Sequence, residues 1–222
     1  MLKDFDNNKN LGTDGLPAEF YWFSWPDICH DLLASYNFAS QHGMLSMSPR
    51  QGKISLIQKK SKDKTILENL RPISLLNVDY KILTKVIAKR IEKVLPTSIN
   101  PDQTGYVKGH YTDENVRLIY DLIHYTDKLN QKGIAIFLDF KKALDSIEWD
   151  YLLETLQLFN FSHDIQNWMK IFYVTSCVLN NGHASTFFSL QPGVRQGCLL
   201  SGVLRVLRIE LLSKSIKKWS HY

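Results

Sequence analysis

From Val78 to Leu95 the apolar residues Val78, Ile82, Leu83, Val86, Ile87, Ile91 and Val94 recur every three to four positions, and Pro96 follows. That period predicts an amphipathic helix stopped by the proline. Two helical patterns precede it: one starts near Leu16 and Pro17, the other carries Ile28, Leu32, Leu33, Tyr36 and Phe38 and ends near Gly43. The aromatic run Phe20, Tyr21, Trp22, Phe23 and Trp25 reads as a helix face buried in the core. Lys53–Gln58 reads as a short strand that gives way to the basic, polar turn Lys59–Lys64. After a loop over 97–111, a further amphipathic helix is expected from Asp113 to Asn130, closed by Gly133. Ile134–Phe140, IAIFLDF, is almost continuously apolar and too short for an ordinary helix, so it reads as a buried strand. Helices over 149–159 and 163–173 follow, then a hairpin within 177–190 turning at Asn181-Gly182, then a helix from Leu199 to Trp219. This order of elements is α+β.

The 222 residues are 44% hydrophobic and 22% charged, ordinary for a chain that buries a core and unlike disordered or fibrous classes. Three widely spaced cysteines, Cys29, Cys177 and Cys198, exclude a disulfide framework and paired zinc ligands, and they fit a reducing, intracellular compartment. No apolar run has the length of a membrane span, so no membrane partner is expected. The 27 Lys and Arg against 22 Asp and Glu leave +5, a mild leaning toward polyanions. Part of that excess sits on the polar side of the 78–95 helix as Lys81, Lys85, Lys89, Arg90 and Lys93, which the sequence alone reads as a solvated face or a nucleic-acid contact.

Asp139 is the most informative single position. A carboxylate at the end of an apolar strand has no packing role, and burying it unpaired costs several kcal/mol, so it sits at a wet strand end or binds a cation. Asp145 follows within FLDFKKALD. Paired carboxylates on strand ends hold the two divalent cations of nucleotidyl transferases.

Six segments in order carry a family resemblance: GTDGLPAEFY at 12–21, KISLIQKKSKD at 53–63, LRPISLLNVDYKILTKVIAKRI at 70–91, PDQTGYVKGHYTDENVRLI at 101–119, FLDFKKALDSIEWDYL at 137–152 and GVRQGCLLS at 193–201. Over nearly its whole length the chain resembles the reverse transcriptase domain of LINE-type, non-LTR retrotransposons. The resemblance implies a right-hand polymerase architecture: fingers over 1–132 and a partial palm over 133–222, helix-rich, with a small antiparallel sheet left incomplete. It implies Asp139 as the first carboxylate for Mg2+. It implies Lys59, Lys60 and Arg71, with Phe140, Leu144, Gln196 and Gly197, around an incoming dNTP, and Lys85, Lys89 and Arg90 near nucleic acid. The implied partners are an RNA template and a DNA primer. An arginine fork and mobile lysines suit phosphate oxygens on their chemistry alone.

The chain also departs from the family. The second acidic motif, an aromatic-Ala-Asp-Asp hairpin, is not found: Asp164 is the last aspartate and Glu210 the sole acidic residue after it. One carboxylate in place of a cluster is expected to leave the 222 residues inactive by themselves. Leu144 stands where the family has a bulky aromatic, and Leu199 and Gly202 replace prolines. Arg205 and Arg208 interrupt an apolar helix. The alternative expectation is a non-catalytic nucleic-acid-binding remnant, or a relic with no molecular function.

Overall fold

The computed structural model describes residues 2–6, 9–140, 147–172, 175–180, 182–190, 193 and 197–219. In chain order the elements are a 3-10 turn at Leu2–Asp4, α1 (Ala18–Phe23), α2 (Trp25–His42), α3 (Met47–Arg50) and β1 (Gln51–Gln58). After them come β2 (Leu70–Leu76), α4 (Val78–Ser98), α5 (Thr112–Lys128), α6 (Trp149–Leu158), α7 (His163–Ile171), β3 (Thr175–Asn180), β4 (His183–Ala184), β5 (Phe188–Ser189) and α8 (Ser201–Trp219). The expected α+β class is met.

The sheet runs β2-β1-β3-β4, with β5 also on β3. β1 and β2 form an antiparallel hairpin in register from Gly52↔Leu76 to Gln58↔Leu70. β3 lies parallel to β1, from Gln51↔Thr175 to Ser55↔Leu179, so the sheet is mixed rather than purely antiparallel. The parallel pair is possible because α4 to α7 separate its strands in sequence and supply the crossover that parallel neighbours need. The short hairpin expected about Gly182 forms with Asn180 opposite His183; Asn181 lies outside the described residues. β2 was not anticipated. Its LRPISLL lacks clean alternation and includes a proline, which an edge strand tolerates.

One core joins α4, α6, α7 and α8. Ile87, Ile91 and Leu95 of α4 meet Leu152 and Leu156 of α6, Met169 of α7 and Leu204 and Leu207 of α8, each 2% exposed or less. Burying such a side chain fully is worth about 1.5–3 kcal/mol, which explains why the periodic 78–95 pattern forms the central helix. α4 runs two residues past Pro96, ending at Ser98. A second, smaller cluster gathers Tyr21, Val78 and Ile82 with Leu2, Phe5, Leu16, Ile28 and Leu32.

Two expectations are corrected. In the aromatic run only Tyr21 is buried; Trp22 and Phe23 are 57% and 85% exposed, because the six residues of α1 present a single turned-in position to the second cluster. Ile134–Phe140 is not a buried strand. It forms neither helix nor strand and has no ladder partner among the described residues, and Ile134 and Phe137 are 92% and 75% exposed. An apolar run becomes a strand only when neighbouring strands satisfy its backbone and cover its faces. The preceding α5 likewise has no buried residue, although its apolar positions fall on one face.

Candidate nucleotide and nucleic-acid interface

The β1–β2 hairpin brings three of the expected phosphate-contacting residues together. Arg71 pairs with Ile57 one step from the end of the ladder, and Lys59 and Lys60 enter the turn immediately beyond Gln58. Arg71 and Lys60 are exposed. Lys59 donates from its backbone N–H to the Asn69 carbonyl at 2.9 Å and from Nζ to the Glu68 carbonyl at 2.8 Å, which closes the base of the loop. Asp63 accepts from the Thr65 N–H and hydroxyl, and these bonds hold its carboxyl below the usual carboxylate range. The loop is thereby a structured cationic tip rather than an open tether.

Gly197 packs against the same hairpin. Its φ is +108°, and a Cβ there would lie 2.8 Å from the carbonyl oxygen of Ser74 in β2. A side chain is therefore excluded twice over, by conformation and by space. Gln196 and Leu144 lie outside the described residues, as does Asp145.

Asp139 and Phe140 belong to the exposed segment that forms neither helix nor strand. Phe140 borders a groove of about 400 Å³ between α6 and α8, shared with Tyr151, Arg205 and Arg208. The Arg208 guanidinium carbon lies 6.0 Å from the Phe140 ring centroid. The two arginines are thus half-buried along a groove wall, not inside the core, which explains how an otherwise apolar helix accommodates them. Among the described residues no group of three or more His, Cys, Asp or Glu side chains is placed to hold a metal ion, and no helix is long and apolar enough to cross a membrane.

The three cations expected to act together on α4 do not share a face. Lys85 and Lys89 both reach Asp4 Oδ2, at 3.3 and 3.1 Å. Arg90 instead lines a separate cleft of about 520 Å³ with Phe159, Phe161 and Trp168.

One densely bonded polar residue, Asn77, lies outside the expected site residues. Asn77 is fully buried at the start of α4, yet its carboxamide makes no helix cap. Its Oδ1 accepts from the Thr13 N–H at 2.6 Å, the Thr13 hydroxyl at 3.1 Å and the Asp14 N–H at 3.4 Å, while Nδ2 donates to the Ser48 carbonyl at 2.9 Å and the Ser48 hydroxyl at 3.0 Å. A Cβ on Gly12 would lie 1.9 Å from that Oδ1. Gly12, Thr13 and Asp14 therefore dock as backbone against Asn77. Next to it Asp79 is 9% exposed, and burial together with the nearby Asp14 raises its carboxyl to about 6 despite the bond it accepts from the Tyr80 N–H. Tyr36 donates to the Asp79 backbone carbonyl at 2.7 Å, and burial pushes the Tyr21 and Tyr36 phenols up. Periodicity could not flag this clasp, since its members are spread over 64 positions; the signal was the small, turn-forming content of GTDG and LLN within the segments of the resemblance.

Residues 57–222 match the family model described as reverse transcriptase (RNA-dependent DNA polymerase). The chain is 37% identical over 211 residues to the transposon TX1 uncharacterized 149 kDa protein of Xenopus laevis, covering 94% of this chain and 16% of that protein. It is 24% identical over 139 residues to the retrovirus-related Pol polyprotein of the type-1 retrotransposable element R2 from Popillia japonica, covering 61% of this chain and 19% of that one. The chain thus spans less than a fifth of the length of either relative. Among solved structures, an apo telomerase from Candida tropicalis superposes with a TM-score of 0.52 at 18% identity, over 83% of this chain and 44% of that chain, a likeness of fold.

Proposed function

From the premise that the chain belongs to the reverse transcriptase (RNA-dependent DNA polymerase) family, among those of LINE-type non-LTR retrotransposons, we propose that its residues form the fingers (1–132) and part of the palm (133–222) of an RNA-directed DNA polymerase. The observation that supports this best is the cationic tip of the β1–β2 hairpin, carrying Lys59, Lys60 and Arg71, with Gly197 seated on β2 behind it. In this reading Arg71 and the lysines take the triphosphate of an incoming dNTP, Arg through its planar fork and Lys as point charges. The absence of a side chain at Gly197 keeps the close backbone approach that a flat nucleotide site requires. Lys85 and Lys89 face the phosphate backbone of template or primer. That contact supplies affinity through counterion release and makes it fall with salt.

Divalent metal is the expected cofactor, Mg2+ by its preference for carboxylate and phosphate oxygens. The described donor set does not fit two such ions: Asp139 is a single exposed carboxylate and no acidic cluster accompanies it. The described residues therefore support no metal-dependent step, and the 222 residues by themselves bind nucleic acid without extending a primer. The test is a primer-extension assay on an RNA template with Mg2+ and dNTPs, run beside a filter-binding titration over a salt series. No extension, together with salt-dependent RNA retention, is the expected result. Incorporation that disappears in Asp139→Ala overturns the inactivity, and RNA binding that is absent or indifferent to salt overturns the binding.

A further inference from the structure

The residues that face nucleic acid in the reading above are already occupied by the chain itself. In the 3-10 turn at 2–4 and the residue after it, Leu2 and Phe5 stand three positions apart, the spacing that aligns side chains on one side of a 3-10 turn. Both pack against the second apolar cluster beneath α4. That docking sets Asp4 between them, where its Oδ2 lies 3.3 Å from Lys85 Nζ and 3.1 Å from Lys89 Nζ. The Phe5 ring lies 4.4 Å from the same Lys85 ammonium. Lys85 is held inward, with its side chain 13% exposed, and the two ammonium groups keep the Asp4 carboxyl below its ordinary range.

One turn back on the same strip is Lys81, half-buried, whose ammonium is disfavoured by desolvation. Lys81 and Lys85 line a cavity of about 220 Å³ together with Asp4, Phe5 and Gly197. Lys81, Lys85 and Lys89 are spaced four residues apart, so the row rises about 6 Å per step and about 12 Å in all. That is longer than one phosphate group and suits a run of them. Asp6 and Lys9 also line it and pair with each other at 3.3 Å, which leaves Asp4 as the carboxylate set against Lys85 and Lys89; a cavity between cations, closed by that carboxylate on a short anchored turn, has the arrangement of a phosphate seat held by a substitute.

We propose that Asp4, positioned by Leu2 and Phe5, occupies on α4 the place of a nucleic-acid phosphate, so that the N-terminal turn competes with RNA for Lys85 and Lys89. The proposal rests on the nucleic-acid reading given above and adds its regulation. Binding displaces the carboxylate, and the free chain therefore has a lower affinity than its lysines would give alone. The cost of breaking two partly exposed ion pairs sets the scale at about three- to ten-fold in affinity.

The experiment measures a fluorescently labelled single-stranded RNA against the 222-residue chain by anisotropy over a salt series. Asp4→Asn is expected to bind about three- to ten-fold tighter than wild type, with a steeper dependence on salt, since lysines without a carboxylate release bound anions. Asp4→Glu keeps wild-type affinity. Lys85→Ala/Lys89→Ala weakens binding, and adding Asp4→Asn to that background changes nothing. Asp121→Asn, which removes a carboxylate from the remote α5, controls for net charge. An Asp4→Asn gain no larger than that of Asp121→Asn, or one that persists without Lys85 and Lys89, overturns the competition while leaving the binding reading intact. If neither wild type nor Asp4→Asn binds RNA, the binding reading itself is overturned and the proposal with it.

Discussion

Replacing Asn77 by alanine should cost more stability than any other exchange of one polar side chain in the N-terminal half. Asn77 is fully buried, and its two short bonds to backbone, from the Thr13 N–H at 2.6 Å and to the Ser48 carbonyl at 2.9 Å, are lost once the carboxamide is gone. Removing one side of a buried hydrogen bond costs roughly 1–3 kcal/mol, and two such losses in half-buried surroundings give about 3 kcal/mol. In a chain of this size that lowers the melting temperature by about 6–12 °C. Gly12→Ala attacks the same contact from the other side, because its Cβ would sit 1.9 Å from Asn77 Oδ1 and the loop at 12–14 must lift away. The two exchanges should therefore be strongly non-additive, the double variant costing little more than the worse single one. Urea unfolding at constant slope measures the loss, and amide exchange at Thr13 and Asp14 locates it. An Asn77→Ala variant within about 0.5 kcal/mol of wild type, or Gly12→Ala and Asn77→Ala adding independently, would refute the idea that this carboxamide holds the loop.

Two further outcomes are expected. The Asp79 carboxyl is raised from 3.8 to about 6, so the folded state holds its proton more tightly than the unfolded chain does; this group's contribution is greatest below pH 4 and is lost as pH rises through 6, by about 3 kcal/mol at most. Asp79→Asn should remove that slope and stabilise the fold at pH 8 relative to wild type, read by urea titrations at pH 4 and pH 8; an unchanged difference between the two pH values counts against it. Among the described residues, Glu210 in α8 is fully buried with no hydrogen bond to either carboxylate oxygen, and its ion-pair partner is Lys214 at 3.7 Å, whose own side chain is 53% exposed. An apolar residue of similar volume usually replaces such a charge without loss, so Glu210→Leu should raise the unfolding midpoint or leave it unchanged; a loss above about 2 kcal/mol would mean that Glu210 has a bonding partner.

Much of the fold was legible because it follows from one-dimensional period. The apolar rhythm of 78–95 predicted α4 to within a few residues, and Asn181-Gly182 marked the turn between β3 and β4. The failures share a cause: each depended on what covers a surface, which no local pattern records. IAIFLDF has the composition of a buried strand, but the described residues provide nothing to pair with it, so it forms no strand and stays exposed. YWFSW has the composition of a core face, but it is split between the six-residue α1 and the start of α2 and exposes every aromatic ring except Tyr21. LRPISLL gave little sign of a strand, yet it has β1 to pair with and forms one.

The candidate site shows the same limit at the level of charge. Lys85, Lys89 and Arg90 look like one cationic group when counted along α4, but neighbouring residues on a helix project about 100° apart. Lys89 shares its strip with Lys81 and Lys85, eight and four positions earlier, and turns toward Asp4; Arg90 turns toward Phe161 and Trp168. An excess of positive charge that composition treats as a single leaning toward polyanions is thus divided by the helix into two surfaces with different neighbours. The strip that carries Lys81, Lys85 and Lys89 already faces a carboxylate from its own chain. Any polyanion that binds there must do so against Asp4, whereas at Arg90 it meets an aromatic cleft. The net charge of +5 therefore says less about affinity than the partner each cation already has.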